Sequence, residues 1–346
     1  MSRHILCLLL LFPALFGCGV KELGQNLKYD IQGEHFLGNE DFRGGADAFA
    51  RALAENPNNA RVRYYYGRFL LADQEERLAI EQFSQAVALA PDNGDYHFWL
   101  GMALGEAGDP DAERDSYRQA LRHDPQHLQA LIHLGHNLLQ RGDYAGSLAN
   151  YQQALQIIPD HPQALYNRGV ILHHLQRTPE ERLAWLFYLD MYPSGAFARL
   201  AADRLNALQD YSYRNHRLGI RTLTLTDIGF LPFSDQIAAY AKPSLDLVGA
   251  TTVNMKQGNL NILVYQLNNL ELARKRAIAI RNYLYQRFPE LQTSQRIRTS
   301  WFDTAAILTL HGQKLTIEQS VRFFLADHRP TPPGKTRIKA EKFKKK

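Results

Sequence analysis

The feature that most constrains the fold is a spacing of 34 residues between equivalent positions in the first half of the chain. Prolines, glycines and aromatic residues each recur at this interval. A fixed period of this length indicates stacked copies of one supersecondary unit, which bury a continuous core only together. The prolines are Pro57, Pro91, Pro125, Pro159 and Pro193, the glycines are Gly33, Gly67, Gly101, Gly135 and Gly169, and the aromatic residues are Phe49, Phe83, Tyr117, Tyr151 and Trp185.

The repeat resembles the tetratricopeptide repeat, whose signature is Leu-Gly in a first helix, Ala-x₃-Phe in a second helix and a closing Pro. Leu100-Gly101 and Ala79-x₃-Phe83 carry this signature. The resemblance covers five repeats in residues 26–193 and implies an α-solenoid. In it the glycines allow close approach of the two helices of a repeat, and the aromatic rings fill the space between repeats. We expect a capping helix within residues 194–212.

Two repeats depart from the pattern. Gly44-Gly45 falls within the second helix of the first repeat, and we expect the pair to interrupt that helix. Thr178-Pro179 stands where the fifth repeat needs a turn between its helices, and we expect it to replace the turn found in the other repeats.

The resemblance also implies that function lies on a concave groove lined by the first helix of each repeat. Aromatic, Met and Arg side chains are the types that anchor protein interfaces. We therefore predict a peptide or helix site there, and the alternative for Phe98 and Ile132 is that they complete the core. The candidates are Arg61, Tyr64, Arg68, Phe98, Met102, Ile132, His136, Tyr166, Val170 and His173.

Chemistry-bearing motifs are sparse. Nine of the 13 histidines lie in the repeats, but a metal site needs three or four convergent ligands with supporting partners. The repeat spacing does not supply them, which favours polar surface histidines. No nucleophile–base pattern and no Gly-rich phosphate loop stands out. We predict a protein that is not an enzyme and has neither a cofactor nor a metal.

The N-terminal residues 1–18 have the composition of an export signal. Ile5 to Phe16 is an apolar run of 12 residues, shorter than the ~20 needed to span a bilayer. Leu15-Phe16-Gly17-Cys18 resembles the bacterial lipobox, which implies a lipid anchor on Cys18, followed by a short linker, 19–25. Gly19 favours sorting to the outer membrane. The alternatives are a secreted signal cut after Gly19 and an uncleaved anchor.

The period changes after Tyr213. Alternating or apolar runs predict strands, and two longer runs with helical spacing predict helices, one of which contains Pro243 as a possible kink. The resulting order, β-α-β-α-β-β, indicates a smaller α+β domain with a mixed sheet. The strands are Ile220–Leu225, Leu260–Tyr265, Arg296–Phe302 and Ser320–Leu325, and the helices are Asp235–Val248 and Leu270–Phe288.

Residues 218–328 are similar to the peptidoglycan-binding domain of the OmpA family. Thr222–Asp246 resembles its opening strand, loop and helix, and 269–277 resembles the start of its second helix. The resemblance implies that an Asp and an Arg grip the stem peptide. Arg276 matches that Arg, but Asn268 stands nearest the missing Asp. The alternatives are a domain that kept the fold and makes other contacts, and an ordinary surface ion pair at Arg276.

Charge is unevenly distributed. Residues 26–193 carry 14 Lys and Arg against 23 Asp and Glu, residues 194–328 carry 16 against 10, and the tail 329–346 carries eight against one. An acidic solenoid prefers neutral or basic partners. The basic tail is predicted to be disordered. It either stays solvated or contacts an anionic envelope polymer or the acidic half of the chain itself; nucleic acid is not expected as a partner.

Taken together, these patterns predict a non-enzymatic lipoprotein of the bacterial cell envelope, anchored in the outer membrane with its soluble part in the periplasm. Its repeats would bind a protein partner in an assembly such as secretion or pilus biogenesis, and its OmpA-like domain would contact the cell wall. The alternative is a peptidoglycan-binding anchor in which the repeats act mainly as a spacer.

Overall fold

The computed structural model describes residues 24–255, 258–310 and 313–326. The predicted signal with Cys18, the linker up to residue 23 and the basic tail 329–346 lie outside the described residues. The chain divides into two compact units on either side of the bond between Arg177 and Thr178. None of the described helices combines the length and the apolar character needed to cross a membrane.

The described part of the first unit consists of nine helices. The odd-numbered helices are the first members of the repeats (A helices) and the even-numbered ones are the second members (B helices). The helices are α1 at 24–38, α2 Phe42–Glu55, α3 Ala60–Ala72, α4 Glu76–Leu89, α5 Gly94–Glu106, α6 Pro110–His123, α7 Leu128–Gln140, α8 Tyr144–Ile157 and α9 Pro162–His174.

Asp or Asn side chains cap the starts of five of these helices, namely α2, α3, α5, α6 and α8. Asn59 accepts hydrogen bonds from the backbone N–H groups of Arg61 and Val62 at 2.9 and 3.0 Å, and Asp143 accepts one from Gly146 at 2.9 Å. Such caps satisfy N–H groups that have no partner within the helix. The turn after each A helix has one residue with a left-handed backbone at the same repeat position. These residues are Glu40, Gln74, Gly108, Gly142 and Gln176.

Both expected irregularities of the repeats are wrong. Helix α2 runs without a break through Gly44 and Gly45, because a Cβ at Gly45 would lie 2.5 Å from the Phe69 ring and glycine allows that ring to pack closely. At the fifth turn, Gln176 keeps the left-handed conformation found in the other repeats, with φ of 56°.

The repeated glycines and aromatic residues meet within the second, third and fourth repeats, whereas Gly33 of the first repeat meets Tyr65 on α3. A Cβ added to Gly101 would lie 2.6 Å from Tyr117, and one added to Gly135 would lie 3.0 Å from Tyr151. The same rings also contact the following A helix, since the centroids of Tyr117 and His133 are 5.7 Å apart. The aromatic column therefore joins the two helices of one repeat and contacts the next repeat as well.

The described part of the second unit combines five α-helices, one of them a single turn, with three small sheets. Strand β3 pairs in parallel with β4 and antiparallel with β7, while β1–β2 and β5–β6 are antiparallel hairpins. The elements are α10 Thr178–Met191, α11 Ala196–Ala207, β1 Tyr213–Leu218, β2 Arg221–Thr226, a 3₁₀ turn Ala239–Ala241, α12 Lys242–Asn254, β3 Asn259–Gln266, α13 Leu270–Arg287, the one-turn α14 Pro289–Thr293, β4 Ile297–Phe302, β5 Ala306–Leu310, β6 Gln313–Ile317 and β7 Gln319–Ala326.

One apolar core holds this second unit together. Ile262 and Val264 alternate along β3 and are buried against α13, whose Ala277 and Ile280 face them, while Leu245 of α12 belongs to the same cluster. The period-2 pattern of the strand and the helical spacing of α13 thus place apolar side chains on one common face.

The expected order of elements in this unit is incomplete. The structure adds β1 and the β5–β6 hairpin to the predicted strands. The expected helix Asp235–Val248 is also wrong in its start, since α12 begins at Lys242. Pro243 lies in the first turn, where its missing N–H costs no hydrogen bond, so it does not kink the helix.

Candidate protein-binding face

Arg68 on α3 forms the centre of an aromatic cluster on the A helices. Its guanidinium carbon lies 4.5 Å from the ring centroid of Trp99 and 5.5 Å from that of Tyr64. Nη1 donates hydrogen bonds to Tyr64 Oη at 3.1 Å and to Glu34 Oε1 at 3.2 Å. Cation–π contacts and two hydrogen bonds therefore restrain the guanidinium beside these rings.

The acidic residues of α1 are matched to cations and phenols of α3. Arg61 forms an ion pair with Asp30. The single Tyr65 hydroxyl proton is shared between Asp30 Oδ1 and Glu34 Oε1, which lie 3.2 and 3.1 Å from Oη. Burial raises the pKa of Tyr64 to about 12, against an opposing effect of Arg68, so this phenol stays neutral. The first two A helices thus present aromatic rings with mutually balanced charges.

His127 connects α7 to α5. Its Nδ1 accepts a hydrogen bond from Ala130 N at 3.2 Å, so the ring proton is on Nε2, which donates to Asp95 Oδ1 over 3.0 Å. The hydrogen bond from His127 holds the pKa of Asp95 below its ordinary value, against the opposing effect of burial.

Two further histidines continue the row on α7. His133 packs against Phe98 and Tyr117 with centroid distances of 5.5 and 5.7 Å, and His136 packs against Tyr151 at 5.6 Å. Burial lowers the pKa of both imidazoles, which are therefore neutral at neutral pH. Within the part of the chain that the structure describes, no group of three His, Cys, Asp or Glu side chains is placed to hold a metal ion.

The sequence candidates fall into two groups. Phe98 and Ile132 are only 5% and 4% exposed. They therefore belong to the core, which was the alternative to a place in the groove. His173 is exposed and the other candidates are partly buried. We call this surface the A-helix face. Its members are Arg61, Tyr64, Arg68, Trp99, Met102, His133, His136, Tyr166, Val170 and His173.

Trp99 and His133 belong to this face but were not among the predicted candidates. Tyr65, Trp99 and His133 occupy the same position in three successive repeats. An aromatic or imidazole ring recurring at that position was the available signal. Asp30 and Glu34 were also missed, although Gly33 of the glycine column lies beside them on α1.

Arg276 in the second unit is buried, with 4% exposure. Its Nε donates to the Ser234 carbonyl at 3.0 Å, and Nη1 donates to Gln319 Oε1 at 3.1 Å and to the side-chain oxygen of Gln266. Burial lowers its pKa. The expectation of an ordinary surface ion pair is wrong, since Arg276 is buried and its three hydrogen-bond partners are neutral.

Asn268 does not contact Arg276. It is exposed, has a left-handed backbone with φ of 57°, and its N–H donates to the Asp303 carbonyl at 2.8 Å. The side chain nearest the arginine in the register of the sheet is Gln266, which pairs with Gln319 across β3 and β7. The cavity beside Arg276 has a volume of about 10 Å³, about enough for one water molecule.

Comparison with known proteins concerns the first unit. Residues 28–165 match the family model of the TPR domain of cytochrome c-type biogenesis protein H. A search of curated protein sequences found no match.

Solved structures share the helical repeat. PilF of Pseudomonas aeruginosa is 17% identical, with a TM-score of 0.50, over 55% of this chain and 87% of that chain. PilW, described as a widely conserved type IV pilus biogenesis factor, is 17% identical over 52% and 86% of the two chains, with a TM-score of 0.46. YrrB, a TPR protein with an unusual peptide-binding site, is 20% identical over 50% and 89%, with a TM-score of 0.44. The family match and the PilF fold support tetratricopeptide repeats in this half of the chain.

Proposed function

We propose that the protein is a non-enzymatic scaffold whose A-helix face binds a protein partner. The observation that carries this proposal is the cluster of Arg68 with Tyr64 and Trp99, in which a cation lies 4.5 Å from one ring centroid and 5.5 Å from another. Arg, Tyr and Trp are the residues most enriched among the energetically dominant positions of protein interfaces. Rigid rings lose little conformational entropy on binding, which favours contact with an apolar segment.

The charge pattern narrows the chemistry of the partner. Arg61 and Arg68 are already paired with Asp30 and Glu34, so the face has little free positive charge to attract an acidic segment. Residues 26–193 are acidic as a whole, with 14 basic against 23 acidic side chains. We infer a neutral or basic segment with apolar anchors, because complementary charge steers association and like charge opposes it.

Site-specific photo-crosslinking tests this proposal. A photoreactive phenylalanine analogue is introduced at Tyr64 or Met102 on the A-helix face, and at Gln153, an exposed position on the B helix α8, as the matched control. We expect the two face positions to capture a common envelope protein in intact cells and the control to capture none. Equal capture at all three positions, or none at the face, would contradict the proposal.

The envelope location is part of the same proposal. The lipobox-like Leu15-Phe16-Gly17-Cys18 supports a lipid anchor at Cys18, which would place the repeats close to a membrane, in an assembly such as secretion or pilus biogenesis. Radiolabelled palmitate should be incorporated into the wild type and not into Cys18→Ala. Cys7→Ala is the control, since Cys7 lies within the apolar run and should leave the labelling unchanged.

A second candidate function is contact with the cell wall through an OmpA-like domain. If this were the main function, the repeats would act mainly as a spacer. It is supported by the mixed sheet β4–β3–β7 with helices α12 and α13, and by Arg276 in the position of the ligand-binding arginine. Three neutral partners hold this arginine in place, and no carboxylate among the described residues forms an ion pair with it, although the charge of Asp235 acts on it.

Sedimentation with purified sacculi tests the second candidate. The full chain should sediment with sacculi, and Arg276→Gln should sediment less at the same salt concentration, while Arg274→Gln, at an exposed arginine on the same helix, should behave as wild type. Circular dichroism of both variants checks that they fold. If the folded Arg276→Gln variant sediments as wild type does, binding by this residue is excluded.

A further inference from the structure

The second unit contains a cavity of about 210 Å³ between α11, β1, β5 and β7. It is distinct from the surroundings of Arg276, which does not line it. A volume below the ~300–1,000 Å³ of pockets for drug-sized ligands restricts the occupant to a small molecule. The lining includes Asp203, Asn206, Arg214, His216, Leu308 and Arg322.

Two buried polar atoms of this lining have no hydrogen-bond partner. Arg214 and Asn206 are each only 6% exposed, and Arg214 Nε and Asn206 Oδ1 are both unsatisfied. The other nitrogens of Arg214 are used, since Nη2 donates to Asp227 Oδ1 at 2.8 Å and Nη1 to Ser320 Oγ at 3.2 Å. Buried groups left without partners cost free energy. Both atoms are closed to solvent, so a ligand that offers one acceptor and one donor would recover this free energy by turning the two side chains toward the cavity.

The charges of the lining are of both signs. Arg322 donates to the carbonyl of Ile307 and has no carboxylate partner among the residues described. Burial and the charges of Arg214 and Arg322 lower the pKa of His216 to about 3, so this ring is neutral and adds no charge of its own. Asp203, on α11, is exposed and uses one carboxylate oxygen to accept from Asn215 Nδ2 at 2.9 Å.

We propose that this cavity binds a free α-amino acid, with its carboxylate against Arg214 and Arg322 and its ammonium group against Asp203 and the Asn206 oxygen. A simple anion would leave the Asn206 oxygen unsatisfied and would face the carboxylate of Asp203. A simple cation would face two arginines. A zwitterion satisfies both sets of groups, and Leu308 and Phe323 provide apolar contact for a short side chain.

Binding is measured on the full chain labelled with ¹⁵N, by following the Nε–Hε resonance of Arg214. Glycine, L-alanine and L-glutamate are the probes, and acetate and methylammonium are the comparison compounds. We expect saturable shifts with at least one amino acid, and at least ~tenfold weaker binding of the two compounds that carry a single charge, because each lacks one charge-assisted contact.

Two variants separate the proposed contacts. Arg322→Gln and Asp203→Asn should each weaken amino-acid binding by ~tenfold or more through loss of one charged contact. Arg298→Gln on β4 and Glu290→Gln on α14 are matched controls at exposed positions outside the cavity and should leave the affinity unchanged. The proposal is wrong if no amino acid shifts the resonance, which would mean a cavity filled by water alone. It is equally wrong if acetate binds as tightly as the amino acids and Asp203→Asn has no effect.

Discussion

Gly101 and Tyr117 illustrate how much of this solenoid depends on single residues. A Cβ at Gly101 would lie 2.6 Å from the Tyr117 ring, closer than atoms can pack, so α5 and α6 would have to move apart. We predict that Gly101→Ala lowers the free energy of unfolding by about 1–3 kcal/mol, as overpacked sites do, measured by urea denaturation.

Gly38 provides the control for this substitution. It ends α1, and a Cβ there would meet no heavy atom within 4 Å. Gly38→Ala should change the free energy of unfolding by no more than ~0.5 kcal/mol, or raise it slightly by restricting the unfolded chain. Equal losses in both variants would show that the contact with Tyr117 is not the cause.

His216 should make the second unit sensitive to acid. Burial and two neighbouring arginines lower its pKa to about 3 in the folded state, whereas the unfolded value is ~6.5. The unfolded chain therefore binds a proton below pH ~6.5 that the folded chain does not, and stability falls as the pH falls from there toward 3. Between pH 7 and pH 5 this one group should remove about 2 kcal/mol.

The contribution of His216 is isolated by a variant that cannot titrate. In His216→Gln, the loss of unfolding free energy between pH 7 and pH 5 should be smaller than in wild type, measured by urea denaturation at both pH values. A matched variant at an exposed imidazole, His174→Gln, should keep the wild-type dependence. A wild-type pH profile in His216→Gln would contradict the argument from burial.

Sequence identified the face better than it identified the partners of each side chain. The repeat period located Tyr64 and Arg68 on the correct helices, yet it could not show that Phe98 is buried, since equivalent positions pack differently when neighbouring side chains differ in size. Arg276 was found from its helix motif. Its acceptors Gln266 and Gln319 were not, because they meet only through the antiparallel pairing of β3 with β7.

At the scale of elements, helix starts depend on single capping side chains. Asp143 begins α8 and accepts a hydrogen bond from Gly146 N at 2.9 Å. We predict that Asp143→Ala costs about 1 kcal/mol of unfolding free energy, measured by thermal or urea denaturation. Asp47→Ala makes the same chemical change at an exposed site within α2. Its free energy of unfolding should stay within ~0.5 kcal/mol of the wild-type value. Comparable losses in both would rule out capping as the explanation.

Strands were harder to recognise than helices, for two different reasons. Strand β1 reads Tyr-Arg-Asn-His-Arg-Leu, a polar string with no apolar alternation, and its Arg214 and His216 face inward only because of the tertiary structure around them. The β5–β6 hairpin does alternate in part, through Ile307, Leu308, Leu315 and Ile317. Its signal was weak because each strand has only five residues.

For the whole molecule, the end of the 34-residue period marks a change from repeats to an α+β architecture. The boundary between the two compact units comes earlier in the chain, before α10. The periodic half was recognisable because five repeats average out local exceptions. The second half occurs once in the chain, so its predicted order missed three strands. A single copy offers no internal repetition against which a weak strand can be recognised.

The charge asymmetry of the chain leads to a prediction about its tail. Residues 329–346 carry eight Lys and Arg against one acidic residue, and exposed charges act over ~8 Å at physiological salt. A chain ending at residue 328 should sediment less with anionic sacculi at low salt than the full chain does. The difference should vanish in ~1 M NaCl, where the screening length is ~3 Å.

Replacing the lysines of the tail by arginines is the control, since it keeps the charge and should keep the sedimentation. If the shortened chain sediments as well as the full chain at low salt, the tail makes no contact with the wall.

The glycine–aromatic contacts have a consequence for how the array opens. Phe83, Tyr117 and Tyr151 each pack on a glycine of their own repeat and contact the next A helix, so a repeat is supported mainly by its immediate neighbours. Amide hydrogens in α5–α8 should then exchange with solvent more slowly than those in α1, which has a described neighbour on one side only. Trp99 and His136 lie on the helices expected to exchange slowly, so a bound partner would meet a surface that is already rigid. The first repeat would open locally more often.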